Sequence, residues 1–174
     1  MAFRLVVTGQ RDGRSTFVSD VQQEAVVPRL LGGNEIFELW GADTLPALPS
    51  DGTPTQAEGF FPPAEGFRFT IWTIPPAGHE PEPIVDMDEA ITECDRLVPG
   101  MTSAVTDAEG MHATDTVDCI YIIAGEVDLT LDGGETKRLR TGDCVVQNGT
   151  NHAWVNKGVE RCVLLTAFFG ALRQ

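Results

Sequence analysis

His112-Ala113-Thr114-Asp115-Thr116-Val117-Asp118, with Gly125 following after six intervening residues, is one of two stretches that decide the fold. The other is Gly142-Asp143 leading to Gly149-Thr150-Asn151-His152-Ala153-Trp154-Val155-Asn156. On an extended strand alternate side chains share a face, so His112, Thr114 and Asp118 point one way, and His152, Trp154 and Asn156 share theirs. Two imidazoles and one carboxylate converging on rigid strands suit a first-row divalent ion with open coordination positions. Of the three histidines, two fall in these blocks; His79, in the Pro75–Pro83 stretch, is expected to face solvent.

Working outward, short apolar or alternating runs separated by Gly, Asp and Pro predict an all-β sandwich or barrel. Phe3–Val7 and Ser15–Val18 flank Asp12-Gly13, a pair suited to a tight hairpin. Glu35–Trp40 and Phe67–Ile74 read as strands. Between them residues 44–66 carry prolines at 46, 49, 54, 62 and 63, which predicts an irregular loop, either a cover for a barrel mouth or a plain connector. One helix is predicted. Asp86 caps it, Glu89 holds the capping-box place, Met87, Ala90, Ile91, Cys94 and Leu97 form its apolar stripe, and Pro99-Gly100 ends it. Beyond Gly110 a β-meander is expected: Thr116–Ile123, Glu126–Leu131, a turn at Asp132-Gly133-Gly134, Thr136–Arg140, Cys144–Gln147, Ala153–Asn156 and Arg161–Phe169.

The two quoted blocks resemble the two conserved motifs of the cupin superfamily: His-x-His, an acid and a glycine, then a later glycine, Pro-x-Gly-x-x-His and a following Asn. The resemblance covers about residues 100–170. It implies a jelly-roll, or double-stranded β-helix, barrel with an N-terminal β extension and one short helix, 1–174 forming a single domain. It also implies a divalent metal, Fe, Mn, Ni or Zn, held by His112, Asp118 and His152, and pairing into a homodimer through sheet edges or N-terminal strands. The sequence departs from the pattern at four points: Thr114 stands at the second histidine, Asp118 at the commoner glutamate, Gln147 at the motif proline, and one residue is missing after Gly142. Threonine is a poor metal ligand, and aspartate reaches one methylene less far than glutamate.

Composition narrows the partners. The 174 residues carry 26 acidic and 12 basic side chains, a formal charge of −14, with no basic block, so phosphate backbones and anionic membranes are repelled. A small-molecule partner is expected, with no nucleic acid and no membrane. Met1–Gln10 holds no apolar run suited to a signal peptide and no stretch is long enough to span a bilayer, which points to a cytoplasmic protein. The four cysteines show no Cys-x-x-Cys spacing and are read as small buried hydrophobes.

Three functions fit. The first is a metal-dependent enzyme acting on a small oxygenated organic substrate as a lyase, dehydratase or decarboxylase, the metal serving as Lewis acid. The second is an Fe(II)-dependent dioxygenase on an aromatic or enol substrate, and the third a non-catalytic barrel that binds a small ligand. No catalytic residue is assigned at this level. Candidate substrate-binding residues are Thr114; Trp154, as pocket wall or as core; and Arg68, which would hold a substrate carboxylate or pair with a surface acid.

Overall fold

The computed structural model describes residues 2–55, 57–107 and 110–174. The first elements form at the Asp12-Gly13 turn: both residues adopt positive φ, 48° and 73°, the two-residue geometry that matches strand twist. Strands β1 (Phe3–Arg11) and β2 (Arg14–Gln23) close on it as a two-stranded sheet. Strands β3 (Glu35–Ala42) and β4 (Phe67–Ile74) follow, then helices α1 (Met87–Leu97) and α2 (Met101–Ala104). The meander comprises β5 (Thr116–Ala124), β6 (Glu126–Leu131), β7 (Thr136–Arg140), β8 (Cys144–Asn148), β9 (His152–Val155) and β10 (Cys162–Gly170).

A five-stranded antiparallel sheet in the order β3-β4-β10-β5-β8 packs over a three-stranded sheet in the order β7-β6-β9. This is the mostly-β jelly-roll architecture expected from the alternating pattern, with two short helices rather than one. Glycine at position 100, with φ near 91°, lets the chain turn and resume helix over Met101–Ala104, where an end was expected. Among the described residues no helix is long and apolar enough to cross a membrane.

Strand pairing aligns inward-facing residues in rows. Arg68, Phe168 and Asp118 form one row across β4, β10 and β5, and Trp72, Leu164 and Ile122 form another. Between the sheets Ile120, Ile122, Val127, Cys162 and Leu164 pack with Trp72, Ile74 and Trp154. A second cluster, Ile36, Phe60, Cys94, Val98, Met101 and Phe168, ties α1 and α2 to the barrel end. Removing such apolar surface from water, at roughly 25 cal/mol per Å², is the main force holding these layers together.

Three sequence expectations are modified. On α1 only Ala90 and Cys94 are buried, while Met87 and Ile91 are exposed, because the helix touches the barrel along a narrow line. Cys94 and Cys162 are buried as expected, but Cys119 and Cys144 are exposed: they lie on the outward parity of β5 and β8. The proline-rich 44–66 segment also supplies core, since Phe60 is fully buried and stacks edge-to-face on Phe61, Trp72 and Phe168.

Candidate active site

The site starts with a backbone bridge. His112 and His152 exchange both main-chain hydrogen bonds, His112 N to His152 O at 2.9 Å and His152 N to His112 O at 3.0 Å. Directly opposed residues in such a pair put their side chains on the same face, and the two imidazole centroids stand 4.2 Å apart. Each ring is fixed by its own chain: His112 Nδ1 bonds Gly110 O at 3.0 Å, and His152 Nδ1 bonds Thr150 O at 2.9 Å. A carbonyl only accepts, so both Nδ1 atoms carry the proton and both Nε2 atoms keep a free lone pair. Burial lowers both pKa values, that of His152 to about 4 with the neighbouring His112 adding to the effect, and the rings are neutral at physiological pH.

The start of strand β5 and the residues before it supply the second part. Thr114 Oγ1 and Thr116 Oγ1 are 2.7 Å apart, and the Asp118 carboxyl follows at the next alternate position. Asp118 is 3% exposed, and its Oδ1 has no hydrogen-bond partner among the described residues. Burial drives its pKa up to about 6, with the Thr116 hydroxyl opposing part of the rise. Gly149 holds the two motif blocks together: a Cβ there would sit 2.9 Å from Thr114 O.

These side chains line one cavity of about 350 Å³ between the sheets. His112, Thr114, Asp118, His152 and Trp154 all face it, so five of the six residues singled out from sequence are brought together. Arg68 is not among them. Its guanidinium donates to Ala42 O at 3.0 Å, Phe67 O at 2.9 Å and Gly59 O at 2.8 Å, and pairs with Asp43, locking the 44–66 segment. It borders a separate groove beneath the β1–β2 hairpin. Asn156, on the His152 parity, also turns away from the cavity, bonding Ile74 O and Glu160 O to pin the turn before β10.

The imidazole pair has the anchoring of metal-ligating histidines, with each Nδ1–H held by a carbonyl. A third protein ligand is missing: among the described residues no group of three His, Cys, Asp or Glu side chains is placed to hold a metal ion. Asp118 shares the cavity with the histidines without closing a three-ligand cage among the described residues. The donor set therefore fits two positions of a metal site and not a full protein cage.

Sequence reasoning missed three contributors. Thr116 lies between two residues already singled out and shares their parity. Trp72 and Asn34 also line the cavity, and Trp72 Nε1 and Asn34 Oδ1 are buried without partners, as is Asp118 Oδ1. The inward parity of Trp72 on β4 was a usable signal; Asn34 precedes β3 and carried none.

The sequence model of the cupin domain matches residues 101–168, the segment holding α2, both motif blocks and most of β10. The chain belongs to the cupin family. This cupin is 33% identical over 125 residues to oryzines biosynthesis cluster protein J of Aspergillus oryzae, covering 61% of the chain and 69% of that protein. It is 49% identical over 47 residues to phomopsin biosynthesis cluster protein D of Diaporthe leptostromiformis, covering 27% of the chain and only 25% of that relative's length. Among solved structures, a cupin 2 conserved barrel domain protein from Salinispora arenicola aligns over 80% of the chain and 78% of its own, with 15% identity and a TM-score of 0.42. Cupins often bind metals.

Proposed function

We propose that this cupin is an enzyme of small-molecule biosynthesis that binds an oxygenated organic substrate in the barrel cavity and acts on it by proton transfer, as a lyase or dehydratase. The observation that carries this reading is the set of buried polar atoms without protein partners, Asp118 Oδ1, Trp72 Nε1 and Asn34 Oδ1, on residues lining a single cavity. An unsatisfied buried polar group costs about 1–3 kcal/mol, so a ligand that supplies the missing bonds recovers that cost. The relatives are named for biosynthesis clusters, and we extend that setting to this chain.

Asp118 is the base. With a pKa near 6 it is mostly ionised at neutral pH yet basic enough to take a proton from a carbon next to a carbonyl. In a dehydration the C–H electron pair forms the new C=C bond as the β C–O bond breaks, and the proton taken by Asp118 passes to the departing hydroxide, which leaves as water; the Thr114–Thr116 hydroxyl pair lies beside this path. His112 and His152 accept hydrogen bonds from substrate hydroxyls through Nε2, and the apolar walls exclude water. A divalent ion at the imidazole pair would add Lewis-acid polarisation of a substrate oxygen; no step here is routed through one.

The test is a pH–rate profile once a substrate is found by screening oxygenated metabolites for absorbance change. kcat/KM should rise with pH through about 6 and level off, and Asp118→Asn should lower kcat about a hundredfold or more. A profile flat through that range, or an active Asn variant, would falsify the assignment. Oxygen uptake by iron-loaded protein would favour the dioxygenase alternative.

A further inference from the structure

We propose that the cavity takes an uncharged, elongated molecule carrying a polar group at each end, and discriminates against the corresponding carboxylic acid. The inference rests on the reading of this cavity as the substrate site and adds the class of substrate.

The argument from charge comes first. Among the described residues Asp118 is the one acidic side chain in the cavity lining, and no Lys or Arg joins it. Arg68 stands in the same inward row as Asp118, on the other side of Phe168, and is the cation most naturally available. Its donors are held by Gly59, Ala42, Phe67 and Asp43. A substrate carboxylate would be buried beside a second carboxyl with no cationic side chain among the described lining residues, an arrangement that costs far more than burying a neutral carbonyl or hydroxyl.

Shape supplies the second part. Among the described residues four buried side-chain atoms lack partners; Thr70 Oγ1 borders the neighbouring groove, and the other three line this cavity at its two ends. Asp118 belongs to the Arg68–Phe168–Asp118 row, and Trp72 to the Trp72–Leu164–Ile122 row. On β10 these rows are four residues apart, about 13 Å at roughly 3.3 Å per residue. Asn34 immediately precedes Glu35, which pairs with Thr73, so it lies opposite Ile74, two residues beyond the Trp72 level at the same end of the cavity. Between the two levels runs the row Thr70–Thr166–Ile120, of which Thr166 and Ile120 line the cavity. One end of the ligand therefore meets Asp118 and the imidazole pair. The other accepts from the Trp72 indole N–H and bonds the Asn34 side-chain oxygen.

A matched set of probes tests this. Para-hydroxyphenylacetone is neutral with two polar ends, para-hydroxyphenylacetate is its acid counterpart, and phenylacetone and para-propylphenol each lack one end. Binding is read by calorimetry and by quenching of Trp72 and Trp154 fluorescence at neutral pH. The hydroxyketone should bind at least about tenfold more tightly than the acid, and Asp118→Asn should narrow that gap. Each one-ended probe should lose about fivefold or more, and Trp72→Phe should cancel that loss for one of the two. Acid binding as tight as ketone binding overturns the inference and leaves the site reading intact. If none of the four binds, both fall together.

Discussion

His112 and His152 are joined twice, by reciprocal main-chain hydrogen bonds at 2.9 and 3.0 Å and by ring centroids 4.2 Å apart. The bridge brings a loop residue from the first motif onto the edge of β9, and it makes the two imidazoles a fixed pair of acceptors. Their neutrality is part of the fold: a proton on either would place a cation in a buried, largely apolar wall.

Asp118 and His152 titrate in opposite senses, with a consequence for stability. Asp118 is raised from 3.8 to about 6, so its ionised form destabilises the fold fully above about pH 6, and that cost is relieved as pH falls toward 3.8. His152 is lowered from 6.5 to about 4, so the unfolded chain gains a proton first and stability is lost as pH falls from 6.5 to 4. The two nearly cancel between about pH 4 and 6. Asp118→Asn removes one partner: thermal melts should find the variant more stable than the parent above neutral pH by about 3 kcal/mol, at roughly 1.4 kcal/mol per pKa unit. The advantage should vanish toward pH 4. A variant less stable at every pH would contradict the burial argument.

Arg68 has a structural duty that predicts a distinctive phenotype. Arg68→Met leaves the Ala42, Phe67 and Gly59 carbonyls and the Asp43 carboxylate without their donor, a loss of about 3 kcal/mol or more. Limited proteolysis should cut within 44–66 in the variant and spare the parent. Affinity for cavity ligands should hold in the protein that remains folded; a selective loss of affinity would return Arg68 to the substrate site.

Metal dependence separates two versions of the chemistry. Two imidazole donors without a third protein ligand hold a divalent ion weakly, so dialysis against EDTA should strip any bound metal and leave most turnover in place. Loss of turnover on chelation, restored by iron, manganese, nickel or zinc, would instead put the ion in the reaction.

The homodimer suggested by the sequence has a surface suited to it. Three outward rows of the five-stranded sheet, Asn148–Val117–Phe169–Phe67, Val146–Cys119–Ala167–Phe69 and Cys144–Tyr121–Leu165–Ile71, contain no charged side chain across β8, β5, β10 and β4. The β1–β2 hairpin covers the β3–β4 half, with Phe3 against Phe37, while Tyr121, Val146 and Phe169 remain 43%, 60% and 49% exposed. In a chain of charge −14, a second copy approaches most easily where neither carries charge. Light scattering should give twice 18.8 kDa, and Val146→Glu should give the monomer; a monomeric parent protein would end the proposal.

Much of this was legible in the sequence because the fold obeys a period of two. Strand bounds fell within a few residues of those observed wherever Asp-Gly or Gly-Gly pairs marked turns, and parity put His112, Thr114, Asp118, His152 and Trp154 on one cavity. Parity assigns a face and says nothing of distance, so it did not reveal that Asp118 falls short of closing a cage with the histidines. Parity on β4 could have offered Trp72, but its level in the cavity is set by pairing with β10, some ninety residues away in sequence. The core role of Phe60 and Phe61 was masked by a proline-rich segment whose composition reads as surface.

The Thr114–Thr116–Asp118 line has an evolutionary corollary. Because Thr116 and Asp118 are spaced by the strand's own repeat, the threonine can be exchanged for another residue and the carboxyl stays aimed at the cavity. Losing or gaining one residue between them cannot be absorbed in this way. It would carry the carboxyl through the sheet to the outer surface and bring Val117 or Cys119 inward. The threonine should therefore vary while the spacing to Asp118 stays constant, as a reading frame does.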